Sequence, residues 1–146
     1  MNIEKLIKQL KKHEGLRLKP YRCSSGKLTI GIGRNLDDKG ISKPEAYMLL
    51  ANDVHECINQ VKKNIHFFDK LNDIRQNVLI NMCFNLGIHG LLKFKKFLAA
   101  LELGDFEDAS IEMLDSRWAL QVRTRATELS SQIRTGTEGR EHGKSI

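Results

Sequence analysis

The chain has 146 residues, 40% hydrophobic and 29% charged, with a formal charge of +6. That size suits one compact domain or two small lobes sharing a core, and the balance excludes disordered and fibrous classes. No run approaches the roughly 20 apolar residues of a membrane span.

Charge is uneven along the chain: residues 1–35 carry net +7, residues 36–116 net −4 and residues 117–146 net +3. Basic ends suit a polyanionic partner, whether nucleic acid, an anionic membrane face or an acidic cell-wall polymer, and suit a plain solvated surface equally well. The opening Met1-Asn2-Ile3-Glu4-Lys5-Leu6 patterns as an amphipathic helix and not as a secretory signal, so a cytoplasmic protein is expected unless something else releases it. Cys23, Cys57 and Cys83 are odd in number and lack a C-x-x-C pair, which reads as free thiols, neither a disulfide framework nor a zinc site.

Ile3, Leu6, Ile7 and Leu10 recur at helical spacing and predict a helix over 3–13, capped by Asn2 and ended by Gly15. From Leu16 to Arg34 the period falls to two. Leu28, Ile30 and Ile32 alternate with Thr29, Gly31 and Gly33, and Ser24-Ser25-Gly26 signals a turn, so a β-hairpin or meander is expected. Asp37-Asp38-Lys39-Gly40 reads as a loop. Ser42-Lys43-Pro44-Glu45 combines a capping box with an early proline and starts a helix. Its stripe runs through Leu49, Leu50, Val54, Cys57, Ile58, Val61 and Ile65, long enough to bridge two lobes. Asn72 to Leu86 is strongly apolar and stops at Gly87, as a central buried helix would. Shorter helices are expected at about 91–102, 105–114 and 124–133, and the stretch 139–146 is expected to fray.

Glu14 continues the first helical stripe, placing a carboxyl at an apolar helix end, where burial would raise its pKa. A carboxylic acid kept protonated near neutrality is what a general acid for a glycosidic oxygen requires. The alternative is a Glu that merely ends a helix beside Gly15. Cys23 precedes the turn and Thr29 lies on the strand face opposite Leu28, Ile30 and Ile32, so both could point toward Glu14.

At these residues the chain resembles the phage-type lysozymes, the T4-like endolysins of glycoside hydrolase family 24. Their pattern is Glu, eight residues, Asp or sometimes Cys, five residues, Thr, met here by Glu14, Cys23 and Thr29 within HEGLRLKPYRCSSGKLTIGIGR. The likeness continues in Asn52-Asp53-Val54, Ile80-Asn81-Met82, Ser116-Arg117-Trp118 and Arg134-Thr135-Gly136-Thr137. It implies an α+β, mostly α, lysozyme-like fold. The amino-terminal lobe, with its hairpin, would cover about 12–41, the connecting helix about 42–65, and the helical carboxy-terminal lobe about 66–137 with the 3–13 helix packed on it. The active site would lie between the lobes.

The resemblance also implies the chemistry. Glu14 would protonate the leaving oxygen of the β-1,4 bond between N-acetylmuramic acid and N-acetylglucosamine in peptidoglycan, while Cys23 and Thr29 hold the attacking water and the anomeric centre inverts. With Arg17, Lys19, Arg22, Lys27 and Arg34 near it in sequence, Cys23 could serve as a thiolate base, a neutral partner of the water or a covalent nucleophile; it could also be a buried small residue. Arg34 stands where many members carry His, which implies an ion pair with Asp53. Glu138 stands where some members have Trp. Asn81 and Asn85 are candidates for N-acetyl groups or for capping and solvent-facing roles, and Gln121 and Arg125 for hydrogen bonds to Glu14. Trp118 could stack on a sugar, although a core position is the simpler reading. The five histidines show no ligand spacing, so no metal and no cofactor are expected.

The expected protein is a monomeric endolysin that acts on peptidoglycan without nucleic acid or stable membrane insertion. It would reach the wall from the host cytoplasm through a pore made by another protein. The alternatives are a lytic transglycosylase making 1,6-anhydro products, a wall-binding module with a dead site, and a basic nucleic-acid-binding helical protein.

Overall fold

The computed structural model describes residues 1–139, so the expected frayed tail lies, beyond Gly139, outside the described residues. The chain divides into two compact units, Met1–Leu49 and Leu50 onward.

The first unit opens with α1, Ile3–Glu14, where Asn2 Oδ1 accepts from the Lys5 N–H at 3.0 Å. Gly15, at φ 77°, ends it by donating to Lys11 O. The apolar stripe forms as expected, but α1 buries none of its residues: Ile3, Leu6, Ile7 and Leu10 are 42–57% exposed. Strands β1 (Arg17–Arg22), β2 (Leu28–Gly31) and β3 (Arg34–Asn35) follow as an antiparallel sheet in the order β1-β2-β3. Tyr21 pairs with Thr29 and Arg22 with Leu28; Thr29 pairs on its other side with Asn35. The β1–β2 turn closes through the Cys23 N–H to Lys27 O at 2.9 Å and the Gly26 N–H to Cys23 O at 2.8 Å.

The expected loop at Asp37–Gly40 is instead a one-turn helix, α2 (Leu36–Lys39). Asn35 Oδ1 caps it by accepting from the Asp38 N–H at 3.0 Å, and Gly40 at φ 63° ends it. The acidic pair favours this turn because its carboxylates sit at a helix amino terminus. Helix α3, Lys43–Asn64, starts at the capping box as read: Ser42 Oγ accepts from the Glu45 N–H, and Glu45 Oε1 accepts from the Ser42 N–H at 2.8 Å. The unit boundary falls within this helix.

The second unit holds the hydrophobic core. Only the carboxy-terminal half of α3 is buried, at Cys57 and Val61. A 3₁₀ turn at Phe68–Lys70, absent from the sequence reading, leads to α4, Asp73–Leu92, which breaks at Gly87 (φ 76°, ψ 162°), the expected helix stop. Then come α5 (Lys95–Leu103), α6 (Phe106–Leu114), α7 (Arg117–Val122) and α8 (Thr124–Thr135). Helix α7 was not foreseen because six residues are too short for a periodicity to show; the cap at Ser116, whose Oγ accepts from the Ala119 N–H at 3.1 Å, starts it. Val61, Leu79, Met82, Leu91, Phe97, Leu101, Met113 and Ile133 are fully buried. Arg75 of α4 ties this core to the end of α8, donating through Nε to Ile133 O at 2.7 Å while its guanidinium lies 3.4 Å from the Phe106 ring centroid.

Candidate active site

Three of the expected residues sit in the first unit. Glu14 is the last residue of α1 and is exposed, not buried as the stripe suggested. Its carboxylate rests against the backbone of Gly33: a Cβ there would stand 2.9 Å from Glu14 Oε2 and 3.0 Å from Cγ and Cδ. Gly33 also has φ 69°, so both space and backbone conformation require glycine at this point. The second glycine of T-I-G-I-G thus seats the carboxyl on the β2–β3 connection.

Cys23 is half-buried at the start of the β1–β2 turn, its Sγ 3.1 Å from Ser25 Oγ. The thiol pKa is lowered from 9.0 to about 7, first by the Ser25 side-chain hydrogen bond, then by backbone hydrogen bonds from Lys27 and Ser25, with Thr29 adding a smaller share. Sequence reasoning looked to the neighbouring arginines and lysines for this effect; hydrogen bonds within the turn supply it. Thr29 is buried at 4% exposure, and its hydroxyl donates to Lys27 O at 2.9 Å. The turn thereby brings Cys23 and Thr29 together, both engaging Lys27 O.

Within the first unit, Arg34 pairs with Glu45 of α3. Its guanidinium binds Glu45 with both arms, Nη1 to Oε1 at 2.8 Å and Nη2 to Oε2 at 2.7 Å, and Nη1 also reaches Gly40 O at 3.1 Å. A fork-on-fork pair uses the planar donors that His would lack. The Glu45 carboxyl is held down to about 2, chiefly by the Arg34 hydrogen bonds. Glu45 was visible in the sequence only as a capping residue, since nothing in an eleven-residue separation signals a pair.

The second unit carries the remaining candidates. Arg125 donates through Nε to Asn81 Oδ1 at 2.9 Å, and the two line a pocket of about 280 Å³ with Val54, Ile80 and Phe84. Polar hydrogen-bonding groups beside an apolar wall are what a sugar ring needs. Asn85 is otherwise engaged: its Oδ1 accepts from Trp118 Nε1 at 2.7 Å. Trp118 is a core residue, 5% exposed and edge-on to Phe94 at 5.8 Å, which removes it as a sugar platform. Gln121 is exposed on α7. Among the described residues no cluster of three or more His, Cys, Asp or Glu could hold a metal ion.

A family model described as phage lysozyme matches residues 11–132. The chain belongs to the phage lysozyme family. The α+β, mostly helical architecture is that of a lysozyme-like fold. Among curated relatives, probable T4-type lysozyme 1 of Dictyostelium discoideum is 29% identical over 88% of this chain and 92% of its own length. An endolysin of Acyrthosiphon pisum secondary endosymbiont phage 1 is 28% identical over 90% of this chain and 89% of its own. The pre-baseplate central spike protein of Enterobacteria phage T4 is 29% identical over 90% of this chain, which spans 28% of that protein's length. The span matched by the family model includes positions 14, 23 and 29.

Proposed function

We propose that this phage lysozyme family member is a muramidase that hydrolyses the β-1,4 bond between N-acetylmuramic acid and N-acetylglucosamine in peptidoglycan. The observation that carries the reading is the turn that sets Cys23 beside Thr29, on the sheet against which the Glu14 carboxylate rests. Glu14 is the general acid for the leaving oxygen. Cys23 as thiolate takes a proton from the attacking water, a task best done by a group whose pKa lies near the working pH. Thr29 orients that water, and attack from the opposite face inverts the anomeric centre. Within the second unit, the pocket lined by Asn81 and Arg125 is read as a sugar-binding subsite. The +7 charge of residues 1–35 favours the carboxylates of peptidoglycan stem peptides, an attraction that weakens with salt.

The biological reading is an endolysin: a monomer released from the host cytoplasm by a membrane lesion of separate origin, which degrades the wall and lyses the cell. No helix among the described residues is long and apolar enough to cross a membrane. Mass spectrometry of fragments from purified peptidoglycan, treated with wild type and Glu14→Gln, tests the chemistry. Reducing muramic ends from wild type alone are expected. Anhydro ends would convert the assignment to a lytic transglycosylase, and no fragments from either protein would leave a wall-binding module.

A further inference from the structure

Two thiols that the proposed chemistry does not use line one pocket of the second unit. Cys57 of α3 is 8% exposed and Cys83 of α4 is 1% exposed. Cys57 is the neighbouring group that, after burial, raises the Cys83 thiol most. Gln60, one turn beyond Cys57, accepts from Cys83 Sγ through Oε1 at 3.9 Å. Isolated buried cysteines usually serve as small core fillers sealed from solvent. These two, by contrast, both line a pocket of about 410 Å³, together with Asp53, Glu56, Gln60 and His89. A dithiol with an entry path is chemically different from two sealed side chains.

We propose that Cys57 and Cys83 form a redox-active dithiol that closes to an intramolecular disulfide by exchange with a low-molecular-weight disulfide entering this pocket. The Cys57 thiol gives up its proton as its sulfur attacks the incoming disulfide and expels one thiol; the Cys83 thiol then gives up its proton as its sulfur attacks the Cys57 mixed disulfide and expels the second. Two protein thiols lose two electrons and two protons, and one external disulfide becomes two thiols. Cys57 leads because burial pushes the Cys83 thiol up to about 12, so it ionises only when drawn into the second step. The carboxylates of Asp53 and Glu56 favour a cationic reagent at the mouth. The bond joins α3 to α4, and closing the intervening segment of the unfolded chain stabilises the fold.

Cystamine, a small dicationic disulfide, is the probe. The full-length protein and its Cys23→Ser variant, in which the third thiol is gone, are treated under native conditions, quenched, unfolded, alkylated and mapped by mass spectrometry. A cross-linked peptide pair containing Cys57 and Cys83, two hydrogens lighter than the reduced pair, is expected. It disappears in Cys57→Ala and in Cys83→Ala, and the oxidised protein melts about 5–10 °C higher until dithiothreitol returns it. Two alkylated thiols at these positions, or a stable cysteamine adduct on Cys57 with Cys83 free, overturns the dithiol. A cross-linked protein that melts no higher than the reduced one overturns the stapling.

Discussion

The two units solve the folding problem differently. From Leu50 onward, a continuous core runs from Cys57 to Ile133 through every helix. In Met1–Leu49 the one buried side chain is polar, Thr29. That unit relies on a short sheet, the capped turns, the Leu28 N–H to Asp37 bond at 2.7 Å and ion pairs such as Arg34–Glu45 and Lys27–Asp38. Exposed ion pairs each contribute little. The lesson is a division of labour: stability resides in apolar packing of one unit, while the candidate chemistry resides on hydrogen-bonded turns of the other.

The largest expected effect is on the packing side. Leu79→Ala, at a fully buried position, should cost about 3–5 kcal/mol in denaturant unfolding while leaving activity intact well below the transition. A cost under about 1 kcal/mol would dissolve the contrast between the units. Glu14→Gln should do the reverse, lowering wall hydrolysis by about 10²–10⁴-fold with the melting temperature unchanged, since the side chain is exposed. Gly33→Ala lies between them. It forces an L-residue to φ 69° and pushes the Glu14 carboxylate away, costing about 1 kcal/mol and about ten- to a hundredfold in rate; normal activity would show that the seat is unnecessary.

Cys23→Asp sharpens the assignment of the base. Wild-type activity should climb as pH rises through about 7, whereas the Asp variant stays flat across that range. Because folding lowers this thiol's pKa, its stabilising contribution is complete above pH 9.0 and is lost as pH falls through about 7. The smallest effect belongs to Arg34→Met. A modest fall in melting temperature at neutral pH should vanish as pH drops through about 2, because the lowered Glu45 carboxyl contributes above its ordinary 4.5 and loses that contribution on protonation. A deficit that persists after Glu45 is neutral would assign the loss to packing.

Features with a local cause were readable from residues alone. Asn2 and Gly15 bounded α1, the Ser42–Glu45 box started α3, and Gly87 broke α4, because caps and glycines act within one turn of where they stand. The site was legible through its spacing of Glu, Cys and Thr, yet its electrostatics were not. What lowers the Cys23 pKa is the geometry of a tight turn, and Arg34 found Glu45 through the folding of α2 between them. The fate of Trp118 turned on a hydrogen bond to Asn85, 33 positions earlier, which no periodicity encodes.

That tryptophan has an optical consequence. The sequence contains one Trp and two Tyr, and they are partitioned: Trp118 lies in the second unit, Tyr21 and Tyr47 in the first. Indole emission therefore reports the environment beside Asn85 and Phe94, while phenol absorbance reports the sheet and the beginning of α3. Each unit carries its own chromophore, so a single sample of unmodified protein can be melted with the two halves watched at separate wavelengths.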